Sequence, residues 1–279
     1  MNRLLIILLS LVTIFSCKSR STTSKVTETP ITTTAPSAGI PNINETFLPQ
    51  YIAKTSKKPT LDGKGLEKSW SKATWRNMDQ VMVGETPSQE DFQGRYKLLW
   101  DEDMIYILAE IKDDIFIDTH SDGLDKYWDD DCLEIFIDED RSGGGHQYNH
   151  NAFAYHLSLD DKVVDIGVDR KPQYFNDHIE IGKQRNKNMI VWEVGLRVYN
   201  DQYFEKNKDN ENCRVKLEKG KQIGFMVAYC DNDNSTEREH FVGDMLSKEM
   251  IKIEAGLMLA CLVKLISRDR SRVFHLHIK

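Results

Sequence analysis

The sequence predicts an all-β fold: an antiparallel β-sandwich, jelly-roll-like, with little helix. Three observations predict it. Between about residues 46 and 244 apolar residues recur with a period of two, the mark of strands with one buried face. Clusters of Gly, Asp and Asn punctuate that stretch. No regular helical segment lies between the strands to serve as a parallel crossover. Five Trp, ten Tyr and eleven Phe supply core material and exclude a disordered chain. The 44 acidic and 37 basic residues are dispersed, with a net charge of −7. That balance excludes a nucleic-acid-binding surface.

In chain order, residues 1–16 come first as an export signal. Arg3 gives a positive start, and Leu4 to Phe15 form an apolar stretch of twelve residues. The stretch is too short to span a bilayer and has the build of a secretory signal. Its end, Ile14-Phe15-Ser16-Cys17, resembles the lipobox of bacterial lipoproteins, which makes Cys17 the candidate lipidation site. A plain signal peptide or an N-terminal anchor is the alternative. Two or more acyl chains suffice for stable anchoring, so membrane contact is expected only through the lipid, at the outer membrane or cell surface. Residues 17–44 hold the anchor Cys and a tether. The 27 residues after Cys17 contain eleven Ser or Thr, three Pro and no aromatic residue, and cannot bury a core.

The domain is expected over residues 45–246. Residues 64–72 predict one helical turn. Residues 94–99 and 103–111 predict two strands around Asp101 and Glu102. Residues 131–138 predict a strand with Leu133, Ile135 and Ile137 on one face. Residues 152–159 place Phe153, Tyr155, Leu157 and Leu159 together. The most regular segment is 189–199, where Ile190, Trp192, Val194, Leu196 and Val198 alternate with Val191, Glu193, Gly195, Arg197 and Tyr199. Residues 222–229 repeat the scheme with Ile223, Phe225, Val227 and Tyr229, and shorter strands are expected at 162–168 and 177–181. Asp62-Gly63, Ser142 to Gly145 and Asp231 to Asn234 are the expected turns.

Five cysteines occur, at 17, 132, 213, 230 and 261, with no zinc or haem spacing. Cys132 lies within a strand pattern as a small hydrophobe. Cys213 and Cys230 are a pair that an oxidising compartment would allow to join. His146, His150 and His156 lie near Asp residues but fit no standard zinc spacing.

The candidate site lies in Tyr127 to Asp138. With Leu133, Ile135 and Ile137 inward, parity turns Cys132 and Glu134 outward, and extended backwards it turns Asp130 and Trp128 the same way. An indole beside carboxylates on a sheet face suits a pyranose: the ring stacks on its C–H face and the carboxylates accept from its hydroxyls. A core Trp at a strand start, followed by a solvated acidic loop, is the alternative.

These pieces resemble the family 9 carbohydrate-binding modules. Pro59 to Gly63 followed by Trp70 reads as a short opening strand and turn before a buried Trp. The likeness continues in Tyr96 to Asp101, Ile105 to Asp113, Trp128 to Asp131, Glu134 to Asp138 and Glu237 to Phe241, and covers roughly residues 50–244. The resemblance implies a β-sandwich that holds sugar between two Trp side chains. Trp128 matches the first of them and Glu134 a polar contact. An Arg that members carry on the neighbouring strand falls near Tyr155-His156, so His156 would donate instead. The resemblance also implies structural calcium, for which Asp113-Asp114 and Asp129 to Asp131 are candidates, as are solvated loops.

The family's second Trp belongs to a piece like Asp-Lys-Asn-Arg-Gly-Trp near the domain end, which is absent here. Codons for Met250 to Gly256, read one base out of frame, permit that piece. Residues 247–279 are therefore read as an aberrant, possibly frameshifted tail. Taken in frame, the tail would deprive the chain of a terminal strand and of one sandwich Trp.

The expected function is non-catalytic carbohydrate binding at the bacterial cell surface, serving capture or catabolism of a poly- or oligosaccharide, with glycoside hydrolases as possible partners. One alternative is a glycoside hydrolase or its accessory module. Glu134 and Asp130, however, stand about 13 Å apart by strand rise, more than either glycosidase mechanism uses. The second alternative is a haem-binding sandwich with Met226 and His240 as ligands.

Overall fold

The computed structural model describes residues 50–143, 146–207, 209–244 and 261–266. The signal segment, Cys17, the tether and residues 245–260 and 267–279 of the tail lie outside the described residues. Among the described residues there are fourteen strands. β1 (Gln50–Lys54), β2 (Arg76–Met78), β3 (Gln80–Val83), β4 (Phe92–Trp100) and β5 (Ile105–Asp113) come first. β6 (Cys132–Asp138), β7 (Phe153–Ser158), β8 (Val163–Ile166), β9 (Pro172–Tyr174) and β10 (Ile179–Asn186) follow. β11 (Met189–Leu196), β12 (Gln222–Asp231), β13 (His240–Gly243) and β14 (Cys261–Ile266) complete the set. The expected helical turn is a short 3₁₀ turn at Lys68–Lys72, and another lies at Glu211–Cys213. No helix among the described residues is long and apolar enough to cross a membrane.

The strands form two layers. One layer runs β10-β11-β5-β4, the other β12-β6-β7-β8-β9, and β1 and β14 join them edge to edge. Inner faces from both layers merge into one core that includes Tyr96, Ile107 and Trp192 from the first and Leu133, Ile135, Tyr155 and Tyr229 from the second. The Phe92 and Tyr229 rings stack across the layers at 5.5 Å. All five alternating residues read for 189–199 are buried in this core. This is the β-sandwich expected from the period of two.

The pairing is antiparallel except at β1, which runs parallel to both β4 and β14. Two expectations are corrected. First, the opening strand is β1 and not residues 59–63, which form a loop. Second, the tail supplies a strand: residues 261–266 pair with β1 and β12. The short strands β2, β3, β9 and β13 have three or four residues each, too few for a period to register.

The Leu61-to-Trp70 piece is explained by one side chain. Glu193, on the outer face of β11, is fully buried. Its Oε2 accepts the backbone N–H groups of Asp62, Gly63 and Lys64 at 3.1, 2.9 and 3.2 Å. Its Oε1 accepts the Trp70 indole N–H at 3.0 Å. Gly63 is required there: its φ is +75°, and a Cβ would come within 2.3 Å of the Lys183 and Gln184 backbone. The segment thus lies on the outer face and buries Trp70 with Leu99, Tyr106 and Leu108.

The Cys213–Cys230 pairing is not formed. Cys213 packs in the inner core, whereas Cys230 lies on the outer face of β12; Cys132, Cys213 and Cys230 are free thiols.

Candidate functional site

The outer face of the second layer carries the chemistry. Strand register places Ala228, Glu134, His156, Val164 and Tyr174 in one row across β12, β6, β7, β8 and β9. Parity therefore predicts the direction of Glu134 correctly, but not its exposure. Every residue of β6 is buried, because Phe136, Ala154, Met226, Ala228, Cys230 and Phe241 cover this face with a second apolar cluster.

Glu134 sits in that cluster as a carboxyl with polar neighbours. His156 Nε2 is 3.1 Å from its Oε1. His156 Nδ1 faces the Ala154 carbonyl at 3.0 Å, so Nδ1 carries the hydrogen and Nε2 offers a lone pair. One proton therefore lies between Glu134 and His156. Burial pushes Glu134 well above the usual carboxylate range, against the pull of Arg238. Burial, with the Arg238 charge, holds His156 down at about 3. The Arg238 guanidinium donates to Cys230 Sγ at 3.1 Å, lies 4.0 Å from Glu134 Oε2 and covers the Phe241 ring at 4.5 Å.

Arg238 is the residue that sequence reasoning missed. The resemblance places a guanidinium on the neighbouring strand, where His156 stands. It arrives instead from the segment before β13, on the far side of Glu134. The Glu237-to-Phe241 piece was a signal without an assigned role. Only the tertiary fold brings it to Glu134.

Trp128 lies at the rim. It is 40% exposed, and its ring meets Tyr127 edge-on at 4.9 Å; Tyr127 meets His156 edge-on at 4.7 Å. Tyr148 is a second exposed ring, at 42%, with Arg170 over it at 4.8 Å. The reading of Trp128 as a core residue is thereby corrected.

The backward parity also fails at Asp130, because β6 begins at Cys132 and residues 127–130 form a turn. Asp130 accepts the Thr119 and His120 N–H groups at 2.7 and 2.8 Å and the Thr119 hydroxyl at 3.0 Å. It fastens the loop before it and shares no strand face with Glu134. The cleft between Asp130, Tyr127 and His156 holds about 20 Å³, room for about one water. A groove of about 690 Å³ lies on the other layer, between Asn77, Gln93, Arg95, Glu110 and Lys112.

A carboxylate cluster fits the implied calcium. Ligand atoms of Asp91, Asp231, Glu239 and His240 lie within 4.8 Å of one another, as do those of Asp113, Asp231 and Asp233. Asp231 is fully buried, and its Oδ1, like Oδ1 of Asp91 and Asp233, has no hydrogen-bond partner. Buried oxygens without donors suit a hard divalent cation. Of the candidates read from the sequence, Asp113 and Asp114 lie in these clusters, the latter with Asp91 and Asp233, whereas Asp129 to Asp131 do not. The histidines are dispersed: His146 lies edge-on to Phe136, His150 bonds Glu205, and His156 faces Glu134. The haem pair is also separated. Met226 points to the outer face, whereas His240 pairs with Asp231 on the opposite one.

The family described as carbohydrate family 9 binding domain-like matches residues 61–249. The chain belongs to that family. It is 30% identical over 113 residues to endo-1,4-β-xylanase C of Paenibacillus barcinonensis, which covers 40% of this chain and 10% of that enzyme. It is 28% identical over 94 residues to endo-1,4-β-xylanase A of Thermotoga neapolitana, 34% of this chain and 8% of that enzyme. The chain thus matches a tenth or less of the length of these curated relatives. Solved structures of a family 9 carbohydrate-binding module from Caldicellulosiruptor kristjanssonii, with cellotriose and with glucose, share its fold. Their TM-scores are 0.57 and 0.56 at 16% identity, covering 83% and 80% of this chain and 100% and 99% of theirs.

Proposed function

We propose that this protein is a non-catalytic module that binds a poly- or oligosaccharide at the bacterial cell surface, held there by a lipid on Cys17. The observation that carries the reading is the exposed Trp128 ring, joined through Tyr127 to the buried Glu134–His156–Arg238 set. The indole offers a flat face to a pyranose. Arg238 donates to hydroxyls, and Tyr148 offers a second ring in place of the absent Trp. Hydrolysis is disfavoured by the partners of the two carboxyls: Glu134 shares its proton with His156, and Asp130 is saturated by Thr119 and His120. Glycoside hydrolases made from other genes are the proposed partners. The acidic cluster would hold calcium as a structural clamp on the segment that carries Arg238.

The test is a glycan array on the soluble protein, followed by titration calorimetry with cellotriose, the sugar found in a structural neighbour. Trp128→Ala and Arg238→Ala should each weaken binding at least tenfold. No glycan binding rejects the reading. Binding lost with Arg95→Ala and kept with Trp128→Ala moves the site to the large groove. Accumulation of the uncleaved precursor in globomycin-treated cells, and loss of the membrane-bound mature form with Cys17→Ser, checks the anchor.

A further inference from the structure

Two buried cysteines meet under the candidate site. Cys132 and Cys230 are directly opposite in the antiparallel pairing of β6 with β12. Both point to the outer face, alongside Glu134 and Phe136 on β6 and Ala228 and Met226 on β12. Both are buried. Directly opposed residues of an antiparallel pair have Cα atoms about 4.5–5.5 Å apart. A disulfide needs about 4.4–6.8 Å. The backbone thus already holds the two residues at bonding distance.

From this register we infer that Cys132 and Cys230 form a cross-strand disulfide when the chain folds in the presence of a thiol oxidant. The pair replaces the Cys213–Cys230 link that spacing allowed. A soft-metal site is the other use for paired thiols, and the Arg238 guanidinium on Cys230 Sγ opposes a cation there. The same guanidinium favours oxidation. Cys230, the sulfur that the guanidinium contacts, is taken as the attacking one.

The exchange balances with a small disulfide as oxidant. Cys230 thiolate attacks one sulfur of oxidised glutathione, forming a mixed disulfide and releasing one glutathione thiolate. Cys132 then gives up its proton, attacks the Cys230 sulfur and releases the second. Two glutathione thiols and one protein disulfide result, and the oxidant takes the two electrons. Because both thiols are buried in the fold, the exchange belongs to folding rather than to the finished molecule. The bond ties β6 to β12 beneath Glu134 and closes a long stretch of chain.

The test uses the full chain, reduced and unfolded, then refolded in buffers of oxidised and reduced glutathione. Remaining thiols are blocked with N-ethylmaleimide in guanidinium chloride, and the digest is read by mass spectrometry. The expected product is a Cys132–Cys230 linked peptide, two hydrogens lighter than the reduced pair, with Cys213 alkylated. Half-oxidation is expected in a buffer at least tenfold more reducing than the one that glutathionylates Cys213. Cys132 and Cys230 alkylated in every buffer, or Cys230 linked to Cys17, Cys213 or Cys261, overturns the inference. The readout needs no variant and no sugar, so it stands or falls apart from the saccharide reading.

Discussion

The two layers of the sandwich each bury a glutamate on the outer face, and the two are used differently. Glu193 on β11 is saturated by neutral donors: three consecutive backbone N–H groups and one indole. Glu134 on β6 has a histidine lone pair, a guanidinium at 4.0 Å and a thiol. The first arrangement has no capacity left for a ligand and organises a loop. The second holds charge near an exposed Trp, where a hydroxyl could enter. The lesson is that the donors around a buried carboxyl, rather than its burial, separate a fastening from a binding group.

The largest test of that distinction is Glu193→Ala. It leaves the Asp62 and Gly63 N–H groups and the Trp70 indole without this acceptor, while the Lys64 N–H keeps Asp62 Oδ1, and should cost about 3–5 kcal/mol of stability. Urea unfolding measures the loss, and Trp70 fluorescence should shift as the indole loses its acceptor. A loss below 1 kcal/mol would show that the segment carrying Trp70 holds without it.

The next effect comes from calcium and pH. Burial and the neighbouring Asp231 raise Asp113 to about 7. Burial likewise raises Asp231, and burial with Asp114 raises Asp233, each to about 6. Raised carboxyls bind protons more tightly in the folded state. Their contribution is present below about pH 4 and is lost as pH rises through 6 to 7. A bound cation offsets the loss. Calcium at a hundredfold its Kd should add about 2.7 kcal/mol, with a larger rise in Tm at pH 7.5 than at pH 5. Equal Tm values in EDTA and in calcium at both pH values would reject the cluster as a site.

Trp128→Ala reads the other glutamate. The exposed ring contributes little to packing, so stability should change by less than about 0.5 kcal/mol. Affinity for cellotriose should fall tenfold or more, about 1.4–3 kcal/mol. A stability loss as large as the affinity loss would make Trp128 a structural residue.

The strands and Glu134 were legible in the sequence for one reason: a strand states its faces with a period of two. The inner faces of β6, β7, β11 and β12 followed from that period alone. It does not state what covers a face, so Glu134 reads as open although it is buried on a face it shares with Phe241 and Met226. Nor does it report contacts distant in sequence. Arg238 reaches Glu134 across 104 positions (238 − 134), and Glu193 reaches Gly63 across 130. The family resemblance pointed to the first position and the fold supplied the partner.

Asp130 makes the smallest and most discriminating case. Strand parity groups it with Glu134, but the strand starts only at Cys132. By its donors it belongs with Glu193, since two backbone N–H groups and a hydroxyl fill its oxygens. Asp130→Asn keeps the shape, replaces one acceptor oxygen by an NH₂ group and weakens a charge-assisted set. It should cost about 1 kcal/mol of stability and leave cellotriose affinity within twofold. If affinity falls tenfold at unchanged stability, Asp130 touches the sugar, and the division drawn from Glu193 and Glu134 does not extend to the loops.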